Sequence, residues 1–171
     1  MTPGPFSRLL LTIRSTTPAA ITLILAISTV VPMSMPGGLV VVPHLTLMSV
    51  FYWTVYRPDL MPPTVILIIG LLQDLLTGGW LGLTPLLLLG TYWAILPQRR
   101  AFLGKPFILT WLGFLVVLSV ATLITWLVVS LLSQRLLPPA QSLAQFVTSL
   151  LTFPLMVWFF VRTHRRILPQ I

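Results

Sequence analysis

Few side chains in this sequence are able to do chemistry, and their placing limits what they can do together. Asp59 and Asp74 are its only carboxylates, His44 and His164 its only imidazoles, and cysteine is absent. Without a thiol there is no disulfide, no thiolate metal ligand and no sulfur nucleophile. Catalysis by paired carboxylates needs both acids at one site, whereas the topology read below puts Asp59 and Asp74 on opposite faces of a membrane. No Gly-rich loop runs into Lys-Ser or Lys-Thr, no two histidines share a helical face at ligand spacing, and no Gly-x-Ser-x-Gly elbow occurs. Hydroxyls are plentiful, but nothing singles one out as a nucleophile. The expectation is a protein with no catalytic site, no metal and no cofactor.

Asp74 is the informative residue. A carboxylate close to hydrocarbon is costly unless it has a partner, a cavity or a proton. It lies in Gly70-Leu71-Leu72-Gln73-Asp74-Leu75-Leu76-Thr77-Gly78-Gly79-Trp80-Leu81-Gly82, where a four-residue spacing sets Gly70, Asp74 and Gly78 along one helical face, ready for close approach of a second helix. Three roles stay open for it: accepting hydrogen bonds from backbone amides at the start of the next helix, pairing with Arg135, or handling a ligand, ion or proton. Gln73 projects about 100 degrees away around the helix, which suits an interfacial helix contact. His44, after Pro43, is placed to meet headgroups or bond a local carbonyl. Arg57-Pro58-Asp59-Leu60 reads as a solvated polar turn whose Arg57 can also touch anionic lipid. Arg162-Thr163-His164-Arg165-Arg166 reads as a stop signal or a docking tail for a cytoplasmic partner.

The elements that must carry these residues are apolar. Of 171 residues, 57% are hydrophobic and 7% charged, and the mean hydropathy is +1.02, too little polar surface for a fold in water. A bilayer core takes about 20 apolar residues per helix, and six runs of that order appear: 18–35, 39–56, 61–76, 81–96, 108–132 and 143–161. The fold class predicted is therefore an all-α integral membrane protein, a compact bundle of six transmembrane helices in one domain over residues 1–171. Pro36-Gly37-Gly38 and Thr77-Gly78-Gly79-Trp80 should close helical hairpins. Pro62 and Pro63 suit the opening turn of the third span, while Pro43 and Pro154 should start, bend or break helices. Ala26-Ile27-Ser28 weakly matches a signal-cleavage site after Arg8 and Arg14, but an uncleaved first span is expected.

The net charge of +8 does not point to nucleic acid, because the cations sit at the ends of apolar runs. Counted by segment, Arg8, Arg14, Arg57, Arg99, Arg100, Lys105, Arg162, Arg165 and Arg166 fall on one face and only Arg135 on the other. The cation-rich face should be cytoplasmic, with both termini on it. Tyr52, Trp53 and Tyr56, then Tyr92 and Trp93, then Trp158 would mark inner ends as interfacial aromatics, and Trp80 and Trp126 outer ends.

Two stretches carry a resemblance. Pro43-His44-Leu45-Thr46-Leu47-Met48-Ser49-Val50-Phe51-Tyr52-Trp53-Thr54-Val55-Tyr56-Arg57-Pro58 and the Gly70 to Gly82 segment together resemble the rod shape-determining MreD family. Its identifying elements here are Pro43, the Tyr52-Trp53 pair, Pro58, and Gly70-x3-Asp74 followed by Gly78 and Gly82. The motif region covers roughly a quarter of the chain; the last two spans match in hydropathy and position alone. The resemblance implies a non-enzymatic scaffold of the bacterial inner membrane, part of the elongation machinery and of lateral peptidoglycan synthesis. Its implied partners are MreC, directly or indirectly MreB, RodA and a class B penicillin-binding protein, with membrane lipid and a second copy of the chain as further contacts. The family is also similar in architecture to the substrate-binding subunits of energy-coupling-factor transporters. That likeness sets up the competing expectation, a small-molecule-binding subunit of a membrane transporter, for which Asp74, Gln73 and His44 would be the polar candidates.

Overall fold

A computed structural model of the chain describes residues 5–29, 33–34, 40–134 and 138–167. Inside a bilayer every backbone amide and carbonyl must be satisfied within the chain, which favours helices wherever apolar runs are long. Helices α1 (Pro5–Ser28), α2 (Leu45–Tyr56), α3 (Pro63–Thr77), α4 (Leu83–Ile95), α5 (Arg99–Phe102), α6 (Phe107–Leu132) and α7 (Pro139–Ile167) follow one another, with a 3-10 turn at Pro58–Leu60. Helix α6 and the Pro139–Thr163 part of α7 are long and apolar enough to cross a membrane. The apolar helices Thr16–Ser28, α2, α3 and α4 are shorter.

The largest departure from the sequence expectation falls between the first two runs. Helix α1 stops at Ser28 rather than near residue 35, and Met33–Ser34 (β1) pairs antiparallel with Val40–Val41 (β2), Met33 opposite Val41 and Ser34 opposite Val40. A β-ribbon thus replaces the helix ends predicted there. The run Val40-Val41-Val42 is β-branched and favours extended backbone, and Pro43 disfavours helix at the residue before it. The predicted Pro36-Gly37-Gly38 turn lies outside the described residues.

Helix α7 is longer than the predicted 143–161 and runs through Pro154 without a break. Proline at 154 removes the amide that would bond the carbonyl of Leu150. The indole Nε1 of Trp111 on α6 approaches that same carbonyl at 3.5 Å, so a neighbouring helix meets the freed acceptor in part.

Helix α2 is the centre. Every residue from Thr46 to Val55 is buried, because α1, α4, α5 and α7 all pack on it. Twelve residues rise only about 18 Å, less than the ~30 Å of hydrocarbon, but a helix enclosed by others need not match the lipid. Phe51 makes edge contacts with Phe102, Phe114 and Phe153, and Phe114 stacks on Phe153 with centroids 4.0 Å apart. One aromatic cluster therefore joins α2, α5, α6 and α7.

This arrangement corrects the interfacial placing of the Tyr52-Trp53 pair. Tyr52 is 2% and Trp53 1% exposed, and Tyr52 stacks on Phe160 of α7 at 5.0 Å. Tyr92 is also buried. Their helix faces point at other helices, whereas Trp80, Trp93 and Trp158 are exposed, as interfacial aromatics would be.

Candidate functional site

One cluster of polar groups lies between the α3–α4 hairpin and the start of α2. Helix α3 opens with Pro63 at its first position, where a missing amide is harmless, and runs to Gly78, whose φ of +65° closes it in the left-handed conformation. Gly82, at φ +97°, stands before the first residue of α4. Both positions call for glycine on conformational grounds.

A helix begins with amides that lack intrahelical partners, and Gly82 has no side chain to offer them. Asp74 supplies the missing acceptor from the neighbouring helix. Its Oδ2 accepts from the Gly82 amide at 2.8 Å and from the Thr84 amide at 3.3 Å, with the residue 3% exposed. Its charge also lies at the positive end of the α4 dipole. Pro85 follows with no amide to satisfy. Of the three roles open to Asp74, amide acceptor at the start of the next helix is the one seen; Arg135, the alternative partner, lies outside the described residues.

One turn earlier the same face of α3 meets α4 directly. A Cβ placed on Gly70 would lie 2.6 Å from the Cα of Pro85 and 2.8 Å from its nitrogen, so the two backbones touch because residue 70 has no side chain. Gly70 serves approach, Gly78 and Gly82 serve backbone turning, and Asp74 serves capping. The four-residue spacing brings all of them into one hairpin.

Gln73 faces away from this seam. Its Nε2 donates to Thr29 Oγ1 at the end of α1, at 3.2 Å, which is the interfacial contact expected of it. Gln73 also lines a cavity of about 230 Å³, together with Pro43, His44, Thr46, Thr84 and Gln145 among others. Gln73 Oε1 and Thr46 Oγ1 are buried with no hydrogen-bond partner among the described residues. The ribbon and the α2 entry are fastened to α7 here: Gln145 Nε2 donates to the Val42 carbonyl at 2.8 Å, and the His44 amide donates to Ser149 Oγ at 2.9 Å. Sequence reasoning missed Gln145, Ser149 and Thr46. The one legible signal was Gln145, an amide side chain inside an apolar run.

Beyond the far end of α3, Arg57 and Asp59 form an exposed ion pair at 3.1 Å. Partial burial pushes the Asp59 carboxyl up, but hydrogen bonds from Arg57 and from backbone, with the charges of Arg57 and Arg99, outweigh this and hold it below the usual carboxylate range. The influence of Arg99 places the Arg57 turn and α5 at the same end of the bundle. The two carboxylates flank opposite ends of α3 and share no site.

A chain that is helical apart from one short ribbon among the described residues, with two apolar helices of membrane length and a buried carboxylate that caps a neighbouring helix, defines a class of helical membrane protein. The family model for the rod shape-determining protein MreD matches residues 11–163, and the chain belongs to that family. Its role accordingly lies in determining cell shape, as a membrane protein. No curated protein and no solved structure matches the chain.

Proposed function

We propose that the chain is a multi-pass scaffold of the bacterial inner membrane that binds MreC and through it helps control lateral peptidoglycan synthesis. In this reading α1, α2, α3, α4, α6 and α7 cross the membrane as a single domain with both termini in the cytoplasm. The Asp74 hairpin and the 230 Å³ cavity then face outward, and the Arg57 turn and α5 face MreB. RodA and a class B penicillin-binding protein join directly or through MreC.

Family membership supplies the link to cell shape. The observation that carries lateral docking is the apolar stripe on α7, where Leu143, Val147, Leu151, Leu155 and Trp158 are all exposed at helical spacing. Such a stripe suits the single membrane helix of MreC. Photocrosslinkers at Leu151 and Leu155 should capture MreC, and one at Ile68, exposed on α3, should not. Recovery of MreC equally well by an unrelated six-span protein would end the proposal. Removing the residues after Arg162 asks separately whether the basic tail docks a cytoplasmic partner; unchanged partner recovery would dismiss that role.

A second reading, the small-molecule-binding subunit of a transporter, draws on the cavity and on Gln73 Oε1 and Thr46 Oγ1. The architectural likeness to energy-coupling-factor subunits belongs to this reading. It requires a specific small molecule held in that cavity, and mass spectrometry of ligands released from the purified protein decides it: a single stoichiometric compound supports it, and none counts against it.

A further inference from the structure

Helices α4 and α6 border a groove of about 570 Å³. Its walls are Leu86, Gly90 and Ala94 of α4 and Gly113, Val116 and Val120 of α6, and Gln98 and Phe102 stand at one end. The lining is apolar except for Gln98 and Thr91, and the Thr91 hydroxyl is already committed to the Leu87 carbonyl at 2.8 Å. Gly90 is unlike the hairpin glycines. A Cβ there would meet nothing within 4 Å, its backbone is ordinary helix, and glycine inside a helix costs about 1 kcal/mol relative to alanine. Nothing within the described chain uses the space above it.

The chain next to that end is basic. Beside Gln98 and Phe102, α5 carries Arg99 and Arg100, and Lys105 follows. Arg100 and Lys105 are exposed and make no ion pair among the described residues, where the pair found is Arg57 with Asp59. An apolar slot with exposed cations close in the chain to the Gln98 and Phe102 that line its end matches the two halves of an anionic phospholipid.

We propose that the α4–α6 groove holds an acyl chain of an anionic phospholipid whose phosphate sits at Arg100 and Lys105. The inference goes beyond the scaffold reading and needs only that the protein resides in a membrane. Bound there, the lipid would fill the gap between the α3–α4 hairpin and the α6–α7 pair, which otherwise touch little.

The test uses the purified full-length protein in nanodiscs of phosphatidylcholine and phosphatidylglycerol in equal amounts, with retained lipid counted by native mass spectrometry. The protein should keep one phosphatidylglycerol over phosphatidylcholine by about fivefold or more, the scale of a single cation near an anionic headgroup. Gly90→Phe, or Val116→Trp should the first variant fail to fold, fills the groove and should lose the bound lipid whatever its headgroup. Arg100→Gln with Lys105→Gln should keep a bound lipid and lose the preference. Equal retention by the wild type of both lipids, or undiminished retention by a folded groove-filled variant, overturns the proposal. So does a photocrosslinker at Ala94 that captures a protein helix in cells in place of lipid.

Discussion

Asp74 acts across a helical hairpin. Gly82 turns the chain into α4 but cannot cap it, and the carboxylate near the end of α3 accepts the Gly82 and Thr84 amides. Asp74→Ala leaves those donors without that acceptor, and a loss of about 1–3 kcal/mol is expected. Asp74→Asn keeps an oxygen acceptor without the charge and should lose less. Melting of the purified protein in detergent checks both, and in cells Asp74→Asn should weaken partner recovery more than any flux. Gly70→Ala belongs to a different mechanism. Its methyl would run into the Pro85 backbone, which cannot swing aside as a side chain can, so about 1–3 kcal/mol of destabilisation is expected; a melting temperature equal to wild type would deny the close contact. The alignment of Gly70, Asp74 and Gly78 was legible from spacing. Which partner Asp74 takes was not, because that depends on the left-handed turns at Gly78 and Gly82, and sequence spacing does not show where those turns aim an amide.

Among the elements, α3 separates two kinds of polar end. At the hairpin end a buried carboxylate caps the next helix, while the Arg57–Asp59 turn is exposed and charge-paired. Because the folded Asp59 carboxyl is held below its ordinary value, its stabilising contribution is present above the unfolded carboxylate pKa. It fades as pH falls through the depressed folded value. The sign predicts a small loss of stability in acid for the wild type, and a flatter acid limb for Asp59→Asn; exposure and salt keep the effect small. Melting curves followed downward in pH, at low and high salt, show whether the two differ. Helices α3, α4 and α6 were readable almost to the residue because Pro, Gly and charge bound them. The stretch between α1 and α2 was not, since a run of valines is apolar whether it enters a helix or a ribbon, and hydropathy alone does not distinguish the two. Nor did the aromatic pattern reveal that α2 is enclosed: Tyr52 and Trp53 look alike in sequence whether they face headgroups or Phe160.

At the scale of the whole molecule, the proposed scaffold depends on an orientation. On the six-span reading, nine cations count to one face and one to the other, which sets the expected direction, and the shared end of Arg57 and Arg99 agrees with it. Helices α2, α3 and α4 are shorter than the bilayer core, so the proposed crossing depends on their packing on one another and on α1. Composition made the lipid solvent legible at once; which helix is central, and where the groove and cavity open, emerge only from packing. The chain has no cysteine, which permits a clean measurement: Gly79→Cys in the α3–α4 turn and Lys105→Cys after α5, each treated in intact cells with a maleimide that cannot cross the inner membrane. The account predicts that Gly79→Cys is labelled from outside while Lys105→Cys reacts only after the membrane is opened. Labelling of both from the same side would contradict it.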